Sequence, residues 1–155
     1  MSDKSDLSGA QDYALKLLGY RERSRQEIQV RMERKGFQRE VIEKVLRYLE
    51  SQKYLDDRRF AELWTQGRLK KRYGKGRVIL ELREKGVNQE IIDEVVKKAY
   101  SSVDEIGMAL DLVKRKGYNL EWIEDQRVAR RVSEFLRRRG FSFSVIGEVM
   151  DRILK

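Results

Sequence analysis

A segment built on a basic–glycine–apolar step occurs three times in this chain. Met32-Glu33-Arg34-Lys35-Gly36-Phe37, Leu82-Arg83-Glu84-Lys85-Gly86-Val87 and Leu136-Arg137-Arg138-Arg139-Gly140-Phe141 set their glycines 50 and 54 residues apart. The register extends to both sides. Eight residues before each glycine stands Ile28, Val78 or Val132, and apolar pairs follow it at Val41-Ile42, Ile91-Ile92 and Val145-Ile146. Val45-Leu46, Val95-Val96 and Val149-Met150 continue the pattern. A period near 50 residues means one supersecondary unit used three times. Arrays of such units present surface rather than one enclosed pocket.

The 155 residues include no proline, so nothing interrupts long helical stretches except glycine and polar caps. Apolar residues after each repeated glycine recur at helical spacing. The pattern predicts three helices per unit: 11–21, 25–35 and 39–52, then 57–71, 75–85 and 89–100, then 103–115, 125–139 and 143–154. Ser24-Arg25-Gln26-Glu27 is a capping box for the second helix. Gly36 can take the left-handed conformation that closes it. Asp56 or Asp57 caps the fourth helix and Asn88 the sixth. The connection from Lys116 to Glu124 is longer and carries Tyr118 and Trp122. The expected fold is therefore all-α: three tandem three-helix repeats in an elongated, curved array. Its parts are a polar tail (1–11) and repeats at 12–55, 56–102 and 103–155.

Cysteine and histidine are absent, which removes thiolate nucleophiles, Ser–His dyads and the usual zinc ligands. Gly74-Lys75-Gly76 lacks the rest of any phosphate-loop motif. The reading is a protein that is not an enzyme and needs no cofactor or metal. No run approaches the roughly 18 apolar residues of a membrane span, and Met1 to Gln11 lacks the apolar core of a signal peptide. A cytoplasmic monomer without membrane contact is expected. The net charge is +9, spread as −1 on the tail and +4, +4 and +2 on the three repeats. So distributed a charge points to an acidic partner, nucleic acid or nucleoprotein.

The densest basic run is Arg68-Leu69-Lys70-Lys71-Arg72-Tyr73-Gly74-Lys75-Gly76-Arg77, with six cations and no acid. It spans a turn between two helices. Its glycines let backbone approach a partner, and Tyr73 offers a stacking face. It reads as a phosphate-contacting corner. Arg130, Arg131, Arg137, Arg138 and Arg139 form a second candidate cluster, and Lys114-Arg115-Lys116 a third. Tyr54-Leu55-Asp56-Asp57-Arg58-Arg59-Phe60-Ala61 reads as structural: Leu55, Phe60 and Trp64 are core, an aspartate caps a helix, and Arg59 pairs with a carboxylate. Three helices with a tight turn also suit helix-turn-helix DNA binding. Against that, the third helix of the middle repeat carries Glu90, Asp93 and Glu94, which phosphates repel.

Tyr54 to Ala61 with Trp64, followed by Tyr73-Gly74-Lys75-Gly76-Arg77-Val78-Ile79-Leu80-Glu81-Leu82-Arg83-Glu84-Lys85-Gly86-Val87, closely resembles the signature of the bacterial RecX regulatory proteins. Arg21-Glu22-Arg23-Ser24-Arg25-Gln26-Glu27-Ile28 and Lys35-Gly36-Phe37 extend the resemblance over about residues 12–100. The last repeat fits the family's size and layout with weaker motifs. Gly76 departs from it, since many members carry proline there. The resemblance implies three tandem three-helix repeats and binding to the RecA recombinase in its filament on single- or double-stranded DNA. It further implies inhibition of RecA's ATPase and strand exchange, in recombination and the SOS response. A helical protein acting on bare nucleic acid is the competing expectation.

Overall fold

The computed structural model describes residues 7–118 and 125–154. Residues 1–6 of the expected tail and Trp122 in the seventh connection lie outside the described residues. Among those described there are nine helices and no strand: α1 (Leu7–Tyr20), α2 (Arg25–Lys35), α3 (Arg39–Ser51), α4 (Asp57–Lys70), α5 (Lys75–Glu84), α6 (Gln89–Tyr100), α7 (Glu105–Arg115), α8 (Gln126–Arg138) and α9 (Phe143–Ile153). Most ends fall within two residues of expectation. The exception is α1, which starts at Leu7, so Leu7 to Gln11 is helix rather than tail. Its buried stripe of Ala10, Ala14 and Leu17 explains the early start. Two small residues carry little hydrophobic signal in sequence, yet their size lets helices approach closely.

The repeated glycines terminate α2, α5 and α8 by the same device. Gly36, Gly86 and Gly140 have φ of 98°, 78° and 98°. At each, the glycine N–H donates to the carbonyl three residues back, and the next residue donates to the carbonyl five back: Phe37 to Met32, Val87 to Leu82, Phe141 to Leu136. This is the Schellman geometry, for which only glycine is free of strain at the left-handed residue. The apolar residue that follows is buried each time, at Phe37, Val87 and Phe141. The device also occurs without glycine. Lys53 after α3 and Arg72 after α4 have φ of 61° and 62°, at a cost of roughly 1–2 kcal/mol each.

The chain forms two compact units. One holds the described residues to Leu63 with Leu82–Val95, and the other holds Trp64–Glu81 with the described residues from Val96 onward. In the first, α1 and α2 pack on α3 around Ile28, Met32, Phe37, Ile42, Val45, Leu46 and Leu49. In the second, α7 and α8 pack on α9 around Ala109, Val113, Val132, Leu136, Phe141, Ile146 and Val149. The repeat register coincides with burial. Ile28, Val78 and Val132 are each fully buried, as are Met32, Leu82 and Leu136. Each such side chain contributes on the order of 1.5–3 kcal/mol by leaving water.

Within each unit, the start of one repeat's second helix rests on a glycine turn of the next repeat. In the first unit, the Ser24 hydroxyl donates to the Lys85 carbonyl at 2.7 Å and the Gln26 amide to the Glu84 carbonyl at 2.9 Å. In the second, the Gly74 N–H donates to the Arg139 carbonyl at 2.8 Å and the Gly76 N–H to the Gly140 carbonyl at 3.0 Å. A Cβ at Gly74 would stand 2.5 Å from the Gly140 backbone, so the approach depends on glycine.

Candidate functional site

The basic corner between α4 and α5 is largely paired within its own unit. Glu81, on α5, is only 8% exposed. It accepts two hydrogen bonds from the Arg68 guanidinium at 2.8 and 2.7 Å, one from the Trp64 indole at 3.1 Å and one from Arg77 at 3.3 Å. A buried carboxylate is tolerable only with such company. Tyr73 lies amid three guanidinium groups, with those of Arg139, Arg68 and Arg77 at 3.8, 4.8 and 5.6 Å from its ring centroid. These are cation–π distances. The Tyr73 carbonyl accepts from the Tyr100 hydroxyl at 2.6 Å, and burial pushes that phenol well above its ordinary pKa.

Other cations of the corner are also engaged. Arg72 pairs with Asp111 at 2.8 Å, and Lys75 stands 3.8 Å from Glu105. Arg115 also holds Asp111 at 2.8 Å, and the Arg115 hydrogen bond, aided by Arg72, keeps that carboxyl below its usual range. Arg139 donates to the Lys71 carbonyl besides covering Tyr73. The expectation of a stacking face at Tyr73 therefore needs correcting, because guanidinium groups occupy the space beside the ring. The two glycines do bring backbone close to a partner, but that partner is the Gly140 turn of the same chain. Arg68, Arg72, Arg77 and Arg139 serve first to hold this unit together.

What remains is a smaller set of cations. Lys70, Lys71, Arg130, Arg131, Arg137 and Arg138 are exposed, and none pairs with a carboxylate among the described residues. In the third cluster, Arg115 is held by Asp111, and Lys116 lies 5.6 Å from the Phe135 ring centroid.

The segment from Tyr54 to Ala61 is structural, as its pattern suggested. Asp56 caps α4 by accepting from the Arg58 and Arg59 N–H groups at 3.0 and 3.2 Å. Asp57 instead accepts from the Arg25 N–H at 2.8 Å, at the first turn of α2. Burial pushes the Asp57 carboxyl up, and that N–H opposes the shift. Arg59 pairs with Glu22 at 3.0 Å and donates to the carbonyls of Lys53 and Tyr54. The Ser24 capping box forms as expected, and its Glu27 also pairs with Arg21 at 2.7 Å and Lys85 at 3.2 Å. Burial works against the Glu27 charge, yet the Arg21, Ser24 and Lys85 bonds prevail and hold its pKa below the ordinary value.

Among the described residues no cluster of three or more acidic side chains could hold a metal ion, and no helix is long and apolar enough to cross a membrane. The residue that sequence reasoning missed is Glu81. Its spacing four residues after Arg77 marks an ordinary helix pair, and nothing local announces Arg68 and Trp64 as further partners.

Fold and surface together define a class: an all-helical protein of repeated three-helix units that carries exposed cations without carboxylate partners among the described residues. Residues 10–49 match the family model of the first three-helix domain of RecX, and residues 56–96 that of the second. The chain is 36% identical over 156 residues to regulatory protein RecX of Chlorobium phaeobacteroides, covering 100% of this chain and 99% of that one. It is 34% identical over 148 residues to regulatory protein RecX of Clostridium acetobutylicum, covering 93% of this chain and 68% of the other. The chain belongs to the RecX family. Its fold is similar to the crystal structure of RecX from Lactobacillus salivarius, with a TM-score of 0.77 at 18% identity over 96% of each chain. A second crystal structure, of a regulatory protein RecX, gives 0.80 at 23% identity over 94% of this chain and 73% of that one.

Proposed function

We propose that this protein binds the filament of the RecA recombinase on DNA and lowers its ATPase and strand-exchange activities, acting in the cytoplasm without chemistry of its own. Membership in a family of regulatory proteins carries the reading. Six cations of the basic corner and of α8, exposed and without carboxylate partners among the described residues, support it, since a nucleoprotein filament offers acidic side chains and phosphates. Lys70, Lys71, Arg130, Arg131, Arg137 and Arg138 are the proposed contacts. Arg68, Arg72, Arg77 and Arg139 act indirectly, by fixing the fold beside them. Binding to bare nucleic acid is less favoured. Tyr73 lacks the open face that unpaired bases stack on, and Glu90, Asp93 and Glu94 of α6 are exposed.

The test is RecA-dependent ATP hydrolysis on single-stranded DNA with this protein titrated in, beside its affinity for the same DNA without RecA. Inhibition at concentrations well below those that bind bare DNA supports the reading. No inhibition, or inhibition that only tracks DNA binding, overturns it. Phosphate contacts would give a salt slope of roughly −0.7 per contact on single strands.

A further inference from the structure

Between the start of α5 and the end of α8, within the second unit, lies an open groove of about 580 Å³. Ile79, Leu80 and Phe141 supply its apolar lining, and Leu80 is 51% exposed. Lys75, Arg77, Arg137 and Arg138 also line it, and among the described residues no acidic one does. The guanidinium groups of Arg137 and Arg138 have no carboxylate partner among the described residues. The cleft of the first unit is built differently. It mixes Arg25, Lys53 and Arg58 with Glu50, Asp56 and Asp57, so its charges balance. A concave apolar strip bordered by one sign of charge is unusual on a soluble surface and selects a complementary ligand.

We propose that this groove binds an acidic peptide segment carrying one large apolar anchor side chain. The anchor covers Leu80 and Ile79, and flanking Asp or Glu side chains meet Arg137, Arg138 and Lys75. The lining favours peptide over nucleic acid. Bases need an aromatic face, and among the described residues the one aromatic side chain lining the groove, Phe141, is 4% exposed. Arginine can grip carboxylates in bidentate fashion, which adds orientation to charge. The proposal deepens the reading above: if the protein acts on a RecA filament, this groove is where it holds a protein segment rather than DNA. The identity of the segment's owner rests on that reading, whereas the groove's chemistry does not.

The probe is a fluorescein-labelled twelve-residue peptide of Asp, Glu and Ser with one central Phe, titrated with the full chain and followed by anisotropy. Replacing the Phe by Ala should weaken binding at least tenfold, and Leu80→Asp should do the same. So should the double variant Arg137→Glu/Arg138→Glu, whose side chains are exposed. Circular dichroism checks that each variant is folded. For the unaltered chain, amide chemical-shift changes on adding peptide should centre on residues 75–80 and 137–142. Equal binding of the Phe and Ala peptides overturns the proposal, as do shifts centred elsewhere. A twelve-nucleotide oligo-dT that displaces the peptide and itself weakens on Leu80→Asp would assign the groove to nucleic acid instead. Peptide affinity reads the groove, and ATPase inhibition by the unaltered chain reads the RecA proposal, so either can fail alone.

Discussion

At the start of α2, Ser24 and Gln26 reach the carbonyls of Lys85 and Glu84 with their side chains; at the start of α5, Gly74 and Gly76 reach those of Arg139 and Gly140 with their own N–H groups. The two joints occupy equivalent places in the repeat. The first adds charge, because Glu27 draws in Arg21 and Lys85. The second adds proximity, since backbone meets backbone with no side chain between. Side chains can rotate away from an intruding atom and backbone cannot. The first joint should therefore tolerate substitution and respond to pH, and the second should do neither.

The largest expected difference lies at the two glycine turns. At Gly140, φ is 98° and an added Cβ would collide with the Arg77 backbone nitrogen. Gly140→Ala should destabilise the second unit by about 3 kcal/mol or more, from strain and overlap combined. At Gly86 the added Cβ meets Gln26, whose amide end can swing aside but whose Cβ, 2.7 Å away, moves only with the start of α2. Gly86→Ala should cost the left-handed strain plus a small shift of α2, about 2 kcal/mol, less than at Gly140 where backbone itself is met. Amide hydrogen exchange at residues flanking each turn measures both. Equal costs would break the distinction.

Next comes Gly76→Pro, which removes the donor to the Gly140 carbonyl. A loss of about 2 kcal/mol is expected, because the carbonyl loses its partner. Gln26→Ala also removes one bond, from a flexible side chain at an exposed site, and should cost about 1 kcal/mol or less. Comparing the two by denaturant unfolding sharpens the contrast between a fixed donor and a flexible one.

The joints also differed in how far they could be read in advance. The capping box at Ser24 and the three glycine turns were legible because their rules are local: a side chain three residues from its target, and a residue that tolerates positive φ. The core register was legible for the same reason, as periodicity follows from helix geometry. The pairing of Arg68 with Glu81 was not. It joins residues 13 apart on two helices, and only their packing decides it. Thus Arg68 to Arg77 read as a free basic surface, when much of its charge is spent internally. Gly74 and Gly76 were recognised as sites of close approach, but the approaching group came from Gly140, 66 and 64 residues further on.

Glu27→Gln tests the charged character of the first joint. Its folded pKa is depressed, so its stabilisation is present at neutral pH and is lost as pH falls through that lowered value. The variant should be about 1–2 kcal/mol less stable at pH 7, and the gap should close in acid as the wild-type carboxylate protonates. A pH-independent gap would mean that shape rather than charge matters there. The smallest effect on stability belongs to Lys70→Glu/Lys71→Glu, expected within about 0.5 kcal/mol because both side chains are exposed. Its consequence should appear in filament binding instead, strongest at low salt and fading with screening. Undiminished inhibition at low salt would move the contact to the arginines of α8.

In both joints the donors sit at the beginning of a helix and the acceptors at the end of another, so each connection has a direction. A repeat of this kind works like a coupling with two unlike ends: one end offers N–H or hydroxyl donors, the other offers carbonyls. Removal or duplication of a whole repeat would keep the donor-to-acceptor direction at every new boundary, while the close approach of the second joint would persist only where Gly74 and Gly76 face the turn. A cut inside a repeat would strand both sets at once. Length can change in steps of one period, which gives such a chain an easy route to becoming longer or shorter without inventing a new interface.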